Sequence, residues 1–88
     1  MSEDIEERRR RLLYRCAHTG MKETDLLLGA FARRYVPAFD AAQLARLEDL
    51  FLSNGDDRLL AWAVGREPVP AAFDNDVMNL LIQFRISG

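Results

Sequence analysis

The stretch His18-Thr19-Gly20-Met21-Lys22-Glu23-Thr24-Asp25, HTGMKETD, decides how the chain is read. It is polar and holds a single glycine. IEERRRRLLYRCA (residues 5–17) precedes it and LLLGAFARRYV (residues 26–36) follows it. Both flanks repeat apolar residues at helical spacing, so the stretch reads as the junction of a helix pair. The spacing predicts a first helix from about Asp4 to Ala17. Ile5, Arg9, Leu12, Leu13 and Cys16 share one face of it, and Ser2 or Asp4 caps it. Glu6 and Glu7 suit its positive end.

The second helix is expected from about Met21 to Tyr35, with Leu27, Leu28, Phe31 and Tyr35 as its stripe. Leu26 and Ala30 widen that surface and mark this helix as central. Gly29 within it costs about 1 kcal/mol relative to alanine, which predicts close approach by another helix. Pro37 stops the helix. Asp40-Ala41-Ala42-Gln43 has the form of a capping box, and Leu44, Leu47, Leu50 and Phe51 continue it as a third helix to about Leu52. Ser53-Asn54-Gly55 is a turn. Asp56 is expected to cap a short helix carrying Leu59, Leu60, Trp62 and Ala63, closed by Gly65 in the left-handed conformation. After the extended REPVPAA, a last helix is expected from about Ala71 to Phe84, with Phe73, Val77, Leu80, Leu81 and Phe84 on one face. No strand pattern competes. The expectation is all-α: a small five-helix bundle, one domain over residues 1–88.

Composition narrows the function classes. At 49% hydrophobic and 30% charged residues, the chain is too apolar to be disordered. A formal net charge of −2 gives no general attraction to nucleic acid. Cys16 is the single cysteine, which rules out an internal disulfide and fits a reducing compartment. No apolar run approaches the roughly 20 residues that span a bilayer. The acidic start MSEDIEE has no apolar segment of the secretory kind. These features fit a cytoplasmic protein with no membrane insertion, and the localisation expected is the bacterial cytoplasm.

Chemistry-bearing clusters are few. Cys16 and His18 lie two positions apart, on different sides of a helix, and a zinc site needs three or four ligands. Cys16 falls on the apolar face, where a thiol packs rather than reacts. No nucleophile–base–orienter set can be assembled, so an enzyme is not expected. Gly20 is isolated and forms no phosphate loop. Arg8, Arg9, Arg10, Arg11 and Arg15 cluster, and Glu6–Arg10 and Glu7–Arg11 have the favourable i, i+4 order of a solvated, ion-paired face. Docking to an acidic protein surface is the functional alternative, and nucleic-acid binding lacks a second basic strip. Trp62 reads as core before interface anchor. The junction itself has two readings. With Gly20 or Thr19 as N-cap, Glu23 and Asp25 are explained by capping and the helix dipole. As a surface read by another protein, the same residues form a concentrated polar patch beside an apolar helix.

Gly20-Met21-Lys22-Glu23, then Asp25 and DLLLGAF, then Trp62 and PVPAAFDNDVMNLLIQF, together resemble the FAD assembly factor family, also called succinate dehydrogenase assembly factor 2 or the flavinator family. The resemblance covers roughly residues 8–84. The family motif is Arg-Gly-x-x-Glu. Thr19, preceded by His18, stands in the arginine position, so the planar charged donor is missing there, and His18 or Arg15 is a candidate substitute. The resemblance implies a non-catalytic chaperone that binds the flavoprotein subunit of succinate dehydrogenase, with fumarate reductase a second client, and promotes covalent attachment of FAD. The chain is also expected to be monomeric when free and to hold no cofactor stably. Gly20 and Glu23 inherit the partner-facing role by position, with His18, Thr19, Met21, Lys22, Asp25 and Arg15 as accompanying contacts. The alternative function is an antitoxin-like or other regulatory adaptor using the same face.

Overall fold

The computed structural model describes residues 4–87. Within them the helical periodicity resolves into α1 (Ile5–Ala17), α2 (Lys22–Tyr35), α3 (Ala41–Ser53), α4 (Asp56–Ala63) and α5 (Asp76–Ser87). Two single 3-10 turns, Val36–Ala38 and Ala71–Phe73, join α2 to α3 and precede α5. No strand occurs among the described residues, so the all-α expectation holds. Ser2 lies outside the described residues. Asp4 caps α1 by accepting from the Glu6 amide at 3.3 Å.

The apolar stripes meet in one core. Leu12 and Cys16 of α1, Leu28 and Phe31 of α2, Leu44, Leu47 and Leu50 of α3, Leu59 and Trp62 of α4, and Val77, Met78 and Leu81 of α5 are all buried in it. Each such leucine, valine or phenylalanine contributes about 1.5–3 kcal/mol through burial. The helix α2 is central, packing on α1, α4 and α5. Phe31 sits among the rings of Tyr35, Phe39 and Phe84, at centroid distances of 5.2, 6.3 and 6.0 Å. Gly29 faces α1: a Cβ built there would lie 3.6 Å from the Ala17 Cα and 3.7 Å from its Cβ. The close helix approach expected from this glycine is present.

Two expectations shift. The last segment is not one helix from Ala71. Its 3-10 turn ends at Phe73, and Asn75 restarts the chain as α5 by accepting the Met78 amide on its side chain at 3.0 Å. Phe73 is thereby turned onto Trp62, whose ring it stacks at 5.6 Å. In α4 the N-cap is Gly55, and Asp56 becomes the first helical residue. Asp56 is then used elsewhere, as the acceptor for Arg15.

The arginines of α1 are less solvated than their spacing suggests. Arg8 holds both carboxylate oxygens of Glu48, Nε to Oε2 at 3.1 Å and Nη2 to Oε1 at 2.7 Å. Arg9 pairs with Glu6 and donates from Nη2 to the Phe39 carbonyl at 2.8 Å. Glu6 therefore takes the residue three positions on rather than Arg10. Arg15 donates to Asp56 at 2.8 Å. Arg8, Arg9 and Arg15 thus tie α1 to later parts of the chain instead of adding to one wet face.

Candidate functional site

The junction between α1 and α2 is built by five residues. His18 leaves helical backbone at φ −132°, its amide donating to the Arg15 carbonyl at 3.3 Å. Gly20 then takes φ +88°, a left-handed conformation that side chains resist. Met21 returns to extended backbone at φ −120°, ψ 126° and is the N-cap of α2. Thr19 and Asp25 lock the loop: the Thr19 amide and hydroxyl both donate to Asp25 Oδ1. These bonds hold the Asp25 carboxyl below the usual carboxylate range, with the Thr19 hydroxyl as the largest cause.

This geometry corrects the capping expectation. An N-cap needs extended backbone. The positive φ of Gly20 denies it that role, and the cap moves one residue on to Met21, which provides no side-chain cap bond. The third helical position then falls on Thr24, which is buried, and not on Glu23. Glu23 is exposed, and its side chain makes no hydrogen bond to a described residue. Its acidity is therefore not consumed by closing the turn. Asp25 does that work, from within the first turn of α2.

The predicted site residues divide accordingly. Gly20, Met21, Lys22 and Glu23 form a continuous exposed run, and His18 is exposed on the other side of Thr19. Thr19 and Asp25 are half-buried and bonded to each other beneath it. Arg15 turns away, to Asp56 and across the Phe51 ring, with its guanidinium carbon 4.5 Å from the ring centroid. Apart from its chain neighbours, no heavy atom of the described residues lies within 4 Å of the place where a Gly20 side chain would start, so backbone there is open to approach. His18 is fixed from two sides. Its Nδ1 is 2.8 Å from the Tyr14 carbonyl, and its ring stacks on that of Tyr14 at 3.9 Å, 14° from parallel. A carbonyl only accepts, so Nδ1 carries the proton, and in the neutral ring Nε2 is left as an outward acceptor.

Two residues of this surface were not anticipated. Tyr14, 67% exposed, supports His18, and the signal for it was its position one helical turn earlier. Leu26, expected to widen the core, is 66% exposed and lies one turn after Glu23 and Lys22. An exposed leucine at helical spacing from an unengaged carboxylate gives the patch an apolar flank beside its polar centre.

A family model described as flavinator of succinate dehydrogenase matches residues 10–85. The chain belongs to that family. Among curated relatives in the flavinator family, succinate dehydrogenase assembly factor 2-A, mitochondrial, of Drosophila mojavensis is 42% identical over 83 residues, covering 92% of this chain and 52% of the relative. The protein of the same name from Drosophila ananassae is 42% identical over 81 residues, 90% of this chain and 51% of its own. Succinate dehydrogenase assembly factor 2, mitochondrial, of Drosophila grimshawi is 39% identical over 84 residues, 93% and 56%. The chain spans about half the length of the curated relatives it matches. Their names also overturn one expectation: these flavinator relatives are mitochondrial, not bacterial and cytoplasmic. A lone reduced thiol separates reducing from oxidising compartments and does not single out one reducing compartment.

Proposed function

We propose that this chain is an assembly factor that binds the flavoprotein subunit of succinate dehydrogenase and promotes covalent attachment of FAD to it. Fumarate reductase, where present, is a second client. The observation that carries the reading is the family match across residues 10–85, which includes the exposed Gly20–Glu23 turn. The chain acts by contact rather than by catalysis, as a monomer without a cofactor of its own. Flavin attachment is chemistry of the cofactor in an ordered pocket. A partner that binds the competent pocket conformation more tightly than its alternatives raises the population of that conformation.

In this reading Gly20 lets the partner approach the backbone, and Glu23 supplies a carboxylate with both oxygens available. Met21, Lys22 and His18 surround them, while Thr19 and Asp25 hold the turn in shape. The test is in-gel flavin fluorescence of the succinate dehydrogenase flavoprotein in cells with and without this gene. Fluorescence that depends on the gene is expected. Equal fluorescence in both, together with affinity capture of a different stable partner, would replace this function with that of a regulatory adaptor. Within the gene-positive cells, Glu23→Ala is expected to abolish flavin attachment while the purified variant stays helical.

A further inference from the structure

Between α1 and α3 lies an open groove of about 550 Å³ whose lining includes Arg11, Tyr14, Arg15, Glu48, Phe51 and Leu52. Its rim is apolar and uncovered: Leu52 is 86% exposed and Tyr14 67%. Its charge is arranged for one sign of ligand. Glu48 is the acidic residue of the lining, and both its oxygens are held by Arg8. Arg15 is fixed by Asp56 at 2.8 Å and by the face of Phe51, yet 40% of its side chain remains exposed. A guanidinium has five N–H donors, and one of those on Arg15 donates to a described residue. A cation already held in place, with donors to spare, loses little further freedom when it receives a carboxylate.

From this combination we infer that the α1–α3 groove docks an extended acidic segment of the flavoprotein subunit. An aspartate or glutamate of that segment meets Arg15, and a neighbouring aliphatic or aromatic side chain lies between Tyr14 and Leu52. The inference rests on the function proposed above and adds a second contact region to it. The two regions are continuous, because the Tyr14 ring that borders the groove also stacks on His18 of the turn.

The test measures binding of the full chain to the purified flavoprotein subunit by titration calorimetry, with helicity of each variant checked by circular dichroism. Leu52→Asp and Leu52→Lys change an exposed position with opposite charges. The aspartate is expected to raise Kd about tenfold, and the lysine to leave it within about twofold. Arg15→Gln is expected to raise Kd about tenfold as well. Equal weakening by both Leu52 variants, or no change with Leu52→Asp, would overturn the acidic occupant. A dimer of the free chain that Leu52→Asp dissolves in sedimentation would also overturn it, by giving the groove to a second copy. Glu23→Ala separates the two levels. If the unaltered chain does not bind the subunit, the function itself fails and the groove's occupant with it. If it binds, and Glu23→Ala weakens it while the Leu52 pair does not, the groove inference alone fails.

Discussion

The helices α2 and α3 begin in opposite ways. At α3 the chain closes its own end: Asp40 accepts the Gln43 amide at 2.8 Å, and the Gln43 side chain accepts the Asp40 amide at 3.0 Å. Gln43 also donates to Asp76 at 3.2 Å, so the cap is tied to α5. At α2 the N-cap is Met21, with no side-chain capping bond, and the nearest acids are divided. Asp25 folds back on Thr19, and Glu23 is left to solvent. One helix start spends its polar groups on stability. The other withholds a carboxylate from stability, which is what a surface kept for a partner requires.

The contrast can be broken most severely at Gly20. Gly20→Ala forces a side chain into left-handed backbone, at a cost of about 1–2 kcal/mol. Thermal unfolding should show a clear drop in Tm, and a Tm equal to that of the unaltered chain would mean the turn is remade without positive φ. Next in size is Asp40→Ala. Loss of that cap should cost about 1 kcal/mol in urea unfolding while binding of the flavoprotein subunit is unchanged, since the α3 cap is wholly internal.

A smaller effect is expected from Thr19→Val, which removes the hydroxyl donor to Asp25. The Asp25 carboxyl should titrate higher in the variant, as followed by its side-chain carbon shift in NMR. The sign of the pH dependence follows. A carboxyl lowered in the folded state adds stability at pH values above its unfolded value of about 4 and loses it as pH falls through the folded one. Thr19→Val should therefore reduce the acid sensitivity contributed by the turn, and an unmoved titration would disprove the lock. Asp76 is lowered in the same direction, first by Gln43, and serves as the internal control that Thr19→Val leaves alone. Smallest in stability is Glu23→Ala, expected within about 0.5 kcal/mol because the side chain makes no bond to a described residue. A larger loss would show that Glu23 belongs with Asp40 as a capping residue after all.

Much of this was legible in the chain itself. Periodicity placed the helices, the Asp40–Gln43 spacing announced a capping box that is present, and Gly65 ends α4 with φ +78°. Gly29 pointed correctly to the close packing of α1 on α2. What escaped depended on direction rather than spacing. Whether Gly20 caps α2 turns on one dihedral angle, and that angle moves every helix position after it by one. Glu23 and Asp25 look alike as neighbouring acids, and only the fold shows which of them reaches Thr19. The arginines of α1 suggested pairs within their own helix, because their partners on α3, α4 and the loop before α3 are some 30–41 residues away in sequence. The break before α5 was hidden because Asn75 caps through its side chain inside an otherwise continuous apolar pattern.

Cys16 gives this surface a clock. The thiol is fully buried on the inner face of α1, and burial pushes its pKa up to about 12. Reaction with a thiol reagent requires the thiolate, so the closed molecule is nearly inert and labelling proceeds through openings that expose α1. The labelling rate at fixed pH therefore counts how often α1 lifts from the core. A partner that grips α1 at the turn and along the α1–α3 groove would slow that rate without ever touching the sulfur.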